Sequence, residues 1–382
     1  GALSDSVGKD KKRKIRADFR KNRNSRTRQR DLTRNFQADQ FENDVSAQTE
    51  RVSGKGELTR RRTVIGVQSD DAAAGIGVEL DVDTSQCIAG RVLRVNGLIS
   101  TVQSSTGDRY QCATRRLLKT LSTDQRNVVV AGDRVFFRPA DGTDGIILRV
   151  EPRRGVLSRT SRSRQHVIAA NVDQLLIVTS AAEPVLKPNL IDRILISAGQ
   201  ANIEPILCIN KVDLVNSADL QPLAGVYGQM GYQVLLTSVT TGRGIDELRR
   251  RMVDSHTAVT GQSGVGKSSL LNAVETNLGL RVGEVSRDTK KGKHTTTTAE
   301  LIPLSQGGFV LDTPGIRQFQ LWDVIPAEVI NFFRDLRSYV HLCAFPDCTH
   351  THETDCAIKD AVADGRVDAR RYESYCQVFE SG

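Results

Sequence analysis

Residues 261–268 read Gly261-Gln-Ser-Gly-Val-Gly-Lys-Ser268, which fits the phosphate-binding pattern G-x-x-x-x-G-K-[ST] in full. The residues before this loop favour a β-strand and those after it favour a helix, which is the context that the pattern requires. Backbone N–H groups of such a loop surround a phosphate at the N-terminus of the helix. A chance glycine-rich turn would explain the loop alone, but not the strand and helix around it. The sequence therefore predicts a nucleotide-binding α/β domain.

A second motif, Asn210-Lys-Val-Asp213, follows a predicted strand and matches N-K-x-D. The Asp213 carboxylate can accept hydrogen bonds from N1–H and the 2-amino group of guanine, whereas adenine offers no such pair of donors. Because unpaired acceptors cost free energy, the motif discriminates against adenine. Alone, the tetrapeptide could be a surface turn, but beside a phosphate loop it indicates a guanine nucleotide. Thr237, Ser238 and Val239, at the end of the next predicted strand, form a candidate loop to present a backbone N–H to guanine O6.

Two further segments are expected to contribute magnesium and γ-phosphate contacts. Asp312-Thr-Pro-Gly315 ends a short apolar run, and the threonine-rich segment 292–298 precedes it. Asp312 is predicted to hold the water shell of Mg²⁺, and the Gly315 N–H to contact the γ-phosphate. The Ser268 hydroxyl and one threonine, for which Thr296 is the first choice, complete the predicted ligands. A plain β-forming run of threonines is the alternative for that segment.

The group that activates water is less evident. Ile316 follows Gly315 and can neither orient nor deprotonate water. His294 is the nearest candidate, and a satisfied surface histidine is the alternative. Lys267, expected to bridge the β- and γ-phosphates, is the other predicted catalytic residue. The residues predicted to bind GTP are Asn210, Lys211, Asp213, Thr237, Ser238, Gly261, Gln262, Ser263, Gly264, Val265, Gly266, Lys267, Ser268, Ser269, Asp312 and Gly315.

The motifs occur in an unusual order. An ordinary GTPase runs from the phosphate loop through the threonine segment and D-x-x-G to N-K-x-D, whereas here N-K-x-D comes first. The same sheet can still form, because chain ends that lie close together permit circular permutation. The chain after Asp312 then leads directly into a cysteine-rich region, which ties the nucleotide-sensing segment to a module able to touch a partner.

The cysteine-rich region predicts a structural zinc site. Its spacing, Cys343-x4-Cys348-x-His350-x5-Cys356, supplies three thiolates and one imidazole, which is a closed tetrahedral set. His341 and His352 are alternative nitrogen ligands, and unligated buried cysteines are the other interpretation.

Cysteine usage also bears on location. Seven cysteines, an odd number in a chain of 382 residues, do not indicate a disulfide framework, and Cys376 is expected to be a free thiol. Clustered cysteines outside such a framework are typical of a metal site in a reducing compartment. No segment reaches the run of ~18 apolar residues that spans a bilayer, and the N-terminus lacks an apolar signal core. The sequence therefore predicts a cytoplasmic protein.

The net charge of +8 is concentrated near the N-terminus, where residues 9–30 carry twelve Lys or Arg and Phe19 is the only aromatic residue. The polar composition up to about residue 80 predicts disorder, because it cannot bury enough surface to offset chain entropy. So dense a basic run favours contact with a polyanion, and a solubilising tail is the alternative.

The rest of the chain divides by its patterns. Short β-type runs between turn residues predict a small OB-like barrel, although an SH3-like barrel would give a similar sequence. Alternating strands and helices predict a doubly wound α/β domain. The predicted domains are a basic, disordered extension over 1–80, the barrel over 81–155, a circularly permuted GTPase domain over 156–325, and a helical zinc-binding domain over 326–382.

The permuted order, the loop at 261–270, the segment Gly292-Lys-His-Thr-Thr-Thr297 and the zinc spacing together resemble the bacterial ribosome small-subunit-dependent GTPase A family. The resemblance covers about residues 85–382. It implies an OB-fold, a permuted GTPase and a zinc domain, and binding to the small (30S) ribosomal subunit and its 16S rRNA late in maturation. It further implies that the subunit stimulates GTP hydrolysis, that hydrolysis drives release, and that His294 serves catalysis.

The leading hypothesis is therefore a magnesium-dependent GTPase that assists assembly of the small subunit, acting as a monomer without membrane or DNA partners. The alternative is a constitutive rRNA-binding protein whose guanine nucleotide site is structural. A GTPase resembling translation factors would conflict with the permuted order and the zinc ligands.

Overall fold

The computed structural model describes residues 13–18, 61–68, 78–80, 86–114, 128–140, 142–161, 164–280, 299–312 and 326–381. The chain forms two compact units. One comprises Gly1–Arg154 with Gln165–Asn171, and the other comprises Gly155–Arg164 with Val172–Gly382. Within the described ranges, none of the helices combines the length and apolar character that crossing a bilayer requires.

Three short strands lie in the basic extension. They are β1 (Arg13–Asp18), β2 (Arg61–Gln68) and β3 (Val78–Leu80), and β2 pairs antiparallel with both others. At these residues the structure differs from the predicted disorder. The run Thr63-Val-Ile65 within β2 is β-branched and favours extended backbone, a local preference that the composition of the whole extension conceals.

A closed five-stranded barrel follows in the first unit. Its strands are β4 (Ile88–Asn96), β5 (Ile99–Ser104), β6 (Arg109–Thr114), β7 (Arg134–Pro139) and β8 (Asp144–Val150). The strands pair in the order β4-β5-β6-β8-β7, and β7 returns to β4. The pairing of β6 with β8 is parallel and the others are antiparallel. This mixed closure confirms the OB-like barrel over the SH3-like alternative. The alternating inward residues, such as Val102, Cys112 and Phe137, fill its core.

The second unit contains a mostly parallel sheet. In chain order it follows β9 (Leu157–Ser161) of the second unit and β10 (Arg164–Ala169), nearly all of which belongs to the first unit. Its strands are β11 (Gln174–Ser180), β12 (Glu204–Asn210), β13 (Gln233–Leu236), β14 (His256–Thr260), β15 (Glu300–Pro303) and β16 (Phe309–Asp312). They lie in the order β13-β12-β11-β14-β16-β15, and β15 alone among these six is antiparallel to its neighbour. Every residue of the apolar strand β11 is buried, as expected for a strand covered on both faces.

Helices connect these strands. They are α1 (Pro188–Gln200), α2 (Gln221–Gln229), α3 (Ile245–Met252) and α4 (Lys267–Val274), with short 3₁₀ turns at Val212–Leu214, Ser217–Leu220 and Thr276–Leu278. Helix α1 starts with Pro188, whose missing N–H costs nothing in the first turn. Its residues Ile191, Ile194, Leu195 and Ala198 follow the helical period and are buried.

The C-terminal region is helical around the cysteine cluster. It contains α5 (Pro326–Val329), α6 (Arg334–Arg337), α7 (Ala357–Ala363) and α8 (Ala369–Ser381), with 3₁₀ turns at Ile330–Phe332 and Val340–Leu342. Its core includes Phe333, Leu336, Tyr375 and Cys356, and also Ile196 of helix α1. The C-terminal region therefore shares one apolar core with the GTPase sheet's first helix, and the predicted boundary at residue 325 remains a prediction.

A buried ion-pair network joins the same two regions. The Arg371 side chain on α8 is 3% exposed and pairs with Asp192 on α1 and with Asp335 at 3.0 Å. Tyr227 also donates a hydrogen bond to Asp192 at 2.8 Å. Burial raises the pKa of Asp192, and Arg371 opposes that shift. Helix α8 is thus fixed to α1 by charge as well as by packing.

Candidate functional site

The predicted motifs meet at one edge of the sheet. Strands β11, β12, β13, β14 and β16 are mutually parallel, so their carboxyl ends lie along the same edge. The N-K-x-D motif begins at the last residue of β12, and the phosphate loop follows β14. Open parallel sheets bind ligands at this edge. Circular permutation therefore leaves the arrangement of the motifs intact.

The phosphate loop has backbone geometry that only glycine adopts readily. Gly261 has φ 142° and Gly266 has φ 93°. A Cβ on Gly261 would lie 2.0 Å from the Val178 carbonyl oxygen, and one on Gly266 would lie 2.6 Å from Asn210 Nδ2. The glycines thus allow the loop to approach two strands closely.

Lys267 begins helix α4 and turns back over this loop. Its Nζ donates hydrogen bonds to the carbonyl oxygens of Gly261 at 2.8 Å and Gln262 at 2.6 Å. Ser268 and Ser269 occupy the first turn of α4 and are partly exposed, whereas Ser263 at the loop tip is exposed. The ammonium and the first-turn hydroxyl groups therefore lie at the N-terminus of α4, where an anion is stabilised.

The base motif and the phosphate loop contact each other directly through Asn210, which is buried. Its Nδ2 donates a hydrogen bond to the Val265 carbonyl oxygen at 2.9 Å. Its Oδ1 accepts a hydrogen bond from the Thr237 hydroxyl at 3.2 Å. Both ends of the amide are thus engaged within the protein.

Lys211 and Asp213 lie on the outer side of this contact. Lys211 adopts the left-handed conformation with φ 62°, and its Nζ donates a hydrogen bond to the Glu183 carbonyl oxygen at 2.6 Å. Asp213 lies in the 3₁₀ turn Val212–Leu214 and is exposed. Its carboxylate is therefore accessible to a nucleotide base.

The N–H groups of the loop after β13 have different partners. Thr237 and Ser238 are buried, and their N–H groups donate to the carbonyl oxygens of Ile209 at 2.8 Å and Arg243 at 3.0 Å. Neither N–H is therefore available to guanine O6. The next residue, Val239, is exposed, and its N–H has no hydrogen-bond acceptor among the described residues. The sequence names this loop, but only the fold distinguishes its three N–H groups, because both hydrogen bonds depend on neighbouring chain segments.

Several predicted residues cannot be placed relative to this site. His294, Thr296 and Gly315 lie outside the described residues. Asp312 is described only through its backbone, as the last residue of β16 at the same sheet edge. The proposed roles of these four residues remain predictions.

The four predicted metal ligands form a cluster in the C-terminal region. Their ligand atoms all lie within 4.8 Å of one another. His350 Nδ1 lies 3.5 Å from both Cys343 Sγ and Cys356 Sγ, and these two sulfur atoms lie 4.0 Å apart. A tetrahedral zinc ion with bonds of about 2.0–2.3 Å requires separations of about 3.5–3.8 Å between its ligands. Cys348 completes the donor set, whose three thiolates and one imidazole fit zinc in their chemistry.

The alternative histidines do not join this cluster. His352 instead contacts Thr349 Oγ1 through Nδ1 at 3.3 Å and pairs with Glu353, and its side chain is 79% exposed. His341 is exposed and lies outside the group of ligand atoms. His350 is therefore the nitrogen donor that the structure brings to the three cysteines.

Neighbouring side chains hold the loop that carries His350. The Tyr372 hydroxyl donates to the His350 carbonyl oxygen, and the Tyr375 hydroxyl donates to that of Thr349, each at 2.8 Å. Glu353 accepts hydrogen bonds from the N–H groups of Thr349 and Thr351. Desolvation raises the pKa of Glu353, but hydrogen bonds from the Thr349 N–H and hydroxyl group and from the Glu353 backbone outweigh it, so the pKa falls to about 2. Supporting interactions of this kind orient metal ligands.

Comparison with known proteins agrees with this arrangement. The family model described as RsgA GTPase matches residues 150–322. A protein of Chlorobaculum parvum named small ribosomal subunit biogenesis GTPase RsgA is 38% identical over 309 residues, which is 78% of this chain and 99% of that protein. A protein of the same name from Sodalis glossinidius is 39% identical, over 76% of this chain and 85% of its own length.

Two solved structures are also similar. The crystal structure of YjeQ from Thermotoga maritima has a TM-score of 0.64 and 33% sequence identity, and the match covers 77% of this chain and 98% of YjeQ. The structure of YloQ, described as a circularly permuted GTPase, has a TM-score of 0.61 and 28% identity, over 78% and 96% of the two chains.

Proposed function

This chain belongs to the RsgA GTPase family, and from that premise we propose that it binds the small (30S) ribosomal subunit and acts late in its maturation. Its enzymatic activity is hydrolysis of GTP to GDP and phosphate, as the sequence motifs predict. The subunit stimulates hydrolysis, and hydrolysis drives release of the protein. Relatives named as small ribosomal subunit biogenesis GTPases support this proposal. They do not favour the alternative of an rRNA-binding protein with a structural nucleotide.

The observation that carries the proposal is the hydrogen bond from Asn210 to the carbonyl oxygen of Val265. It joins the base motif to the phosphate loop, although the two lie 55 positions apart and in reversed order. One guanine nucleotide can therefore contact both.

Each part of the site then has a role. Asp213 accepts hydrogen bonds from guanine, which selects the base, and the Val239 N–H is the candidate donor to O6. Lys267, whose ammonium lies over the phosphate loop, stabilises charge on the β- and γ-phosphates. Ser268, Thr296 and Asp312 would hold Mg²⁺, which when bound neutralises charge on the phosphates.

The C-terminal cluster would hold one structural Zn²⁺ through Cys343, Cys348, His350 and Cys356. The bound zinc would stabilise this C-terminal region. The region, the barrel and the basic extension are the candidate contacts to 16S rRNA.

Release requires that the GTP and GDP forms bind the subunit with different affinities, because a ligand shifts an equilibrium only by differential binding.

The direct test is the rate of GTP hydrolysis with and without purified small ribosomal subunits. We expect stimulation by small subunits and not by large subunits, together with co-sedimentation that is stronger with a non-hydrolysable GTP analogue than with GDP. A rate that small subunits leave unchanged would contradict the proposed stimulation, and equal co-sedimentation would contradict the release step.

We further propose that His294 activates the attacking water. His294→Ala should lower the stimulated rate by about 10²–10⁴-fold, the usual contribution of a general base. Nucleotide affinity should change little, because the predicted binding residues remain. The exposed His352→Ala is the matched control and should retain the full rate. Stimulated turnover that survives His294→Ala would exclude this role.

A further inference from the structure

The loop 181–187, which joins β11 to α1, lies between the two halves of the nucleotide site. Pro184 places its Cδ 3.8 Å from the position that a Cβ on Gly264 would occupy, at the tip of the phosphate loop. The Glu183 carbonyl oxygen accepts the hydrogen bond from Lys211 Nζ at 2.6 Å. The loop thus contacts the phosphate loop on one side and the base motif on the other.

A buried hydroxyl group fixes the conformation of this loop. Ser180 is the last residue of β11, is fully buried, and lies opposite Asn210 of β12 in the sheet register. Its Oγ donates a hydrogen bond to the Glu183 carbonyl oxygen at 2.9 Å and accepts one from the Ala182 N–H at 3.3 Å. The Ser180 hydroxyl at the sheet edge therefore holds the Glu183 carbonyl in place. It does so independently of the hydrogen bond that this carbonyl accepts from Lys211.

This arrangement restricts the conformations of the Lys211 side chain. A lysine side chain has a flexible four-carbon stem, and immobilising it on binding costs conformational entropy. The left-handed backbone at Lys211 and the bond from its ammonium to Glu183 O together limit the positions of the stem. A stem held in this way can cover the face of a base with less entropy to lose.

We propose that Ser180 is a positioning residue for the guanine nucleotide: its hydroxyl orients the Glu183 carbonyl, which holds Lys211 against the base. The inference rests on the proposed guanine nucleotide site. Because base and ribose are common to GTP and GDP, the effect is equal for both nucleotides. Because other residues contact the γ-phosphate, turnover at saturating GTP does not depend on the Ser180 hydroxyl.

The test is dissociation of a fluorescent GDP analogue from the full chain carrying Ser180→Ala. One lost hydrogen bond corresponds to about three- to tenfold faster dissociation. The KM for GTP should rise by a similar factor, with kcat unchanged. Ser197→Ala is the matched control: its half-buried hydroxyl also donates to a backbone carbonyl, that of Arg193 at 3.1 Å, but on α1 away from this loop. It should leave dissociation unchanged.

A double-mutant cycle separates positioning from a general structural role. Lys211→Met keeps an apolar stem of similar length and removes only the ammonium. It should itself speed dissociation, and adding Ser180→Ala should then have little further effect. Additive effects, or unchanged dissociation in either single variant, would overturn the proposal. If Ser180→Ala lowers the thermal midpoint too far to measure, Ser180→Cys, which keeps the side-chain size but has only a weak donor, takes its place in the same cycle. Failure of the wild-type chain to bind the GDP analogue would instead contradict the proposed function.

Discussion

Asn210, Thr237 and Ser238 use side-chain or backbone N–H groups in hydrogen bonds within the protein. The Asn210 amide bonds to Val265 and Thr237, and the N–H of Ser238 bonds to Arg243. Motif matching predicts that these residues belong to the nucleotide site. The fold shows that they also hold the loops in place, because buried polar groups must find partners.

Asp213 is the residue on which base selection is expected to depend. Asp213→Asn replaces one carboxylate acceptor by an amide N–H, which opposes the donors of guanine. We expect GDP affinity to fall by about 10–100-fold, because a hydrogen bond to a charged group contributes about 1.5–3 kcal/mol. Titration with fluorescent GDP measures this change.

Xanthosine diphosphate should bind the Asp213→Asn variant better than GDP does, because its 2-oxo group accepts a hydrogen bond. The exposed Asp219→Asn, in the following 3₁₀ turn, is the matched control and should bind GDP normally. A variant that keeps the preference for GDP would remove Asp213 from base recognition.

The conformation of the phosphate loop and its close approach to Asn210 depend on glycine at position 266. Gly266→Ala would place a Cβ 2.6 Å from Asn210 Nδ2, at a residue with φ 93°. The loop must shift and break the contact between the two motifs, so we expect loss of measurable GDP binding with the chain still folded. Gly225→Ala in helix α2 is the control, because its Cβ would meet no atom within 4 Å. It should retain binding and stabilise the helix by about 0.5–1 kcal/mol. Normal GDP affinity in Gly266→Ala would show that the close approach is dispensable.

One buried cation, Arg371, pairs helix α8 with α1 in addition to their apolar packing. Arg371→Met leaves Asp192 buried without its partner, so we expect a loss of about 3–5 kcal/mol in the free energy of unfolding of this unit. Urea unfolding followed by circular dichroism measures the loss.

Arg370→Met, one position earlier, is the comparison for this change. Arg370 is largely exposed and pairs with Asp368 at 2.6 Å, so its replacement should cost less than about 1 kcal/mol. Equal losses of unfolding free energy in the two variants would show that burial of the Arg371 network contributes nothing to stability.

At the scale of the whole molecule, the metal cluster is expected to stabilise more than its own loop. Cys356 belongs to the apolar core that includes Ile196 of α1. Cys343→Ser should therefore abolish one equivalent of zinc, measured by elemental mass spectrometry, and should increase amide hydrogen exchange in α8 and α1 together.

Cys376→Ser is the control for zinc, because Cys376 lies outside the ligand cluster, and it should retain the metal. If hydrogen exchange rises in α8 but not in α1, the shared core does not couple the two regions. A metal-free protein purified without chelators would contradict the zinc site itself.

The sequence by itself determined the class of nucleotide, the permuted order, the α/β fold and the three clustered cysteines, because each depends on residue types at fixed local spacings. It could not distinguish an OB-like from an SH3-like barrel, and it did not reveal the pairing of β1, β2 and β3. Only the tertiary structure decided that β6 pairs parallel with β8 and that His350 rather than His352 faces the cysteines. It also decided that Ser180 and Asn210 support the site from within. These features arise from contacts between residues far apart in the chain, and local patterns carry no information about which distant backbone groups will be their partners.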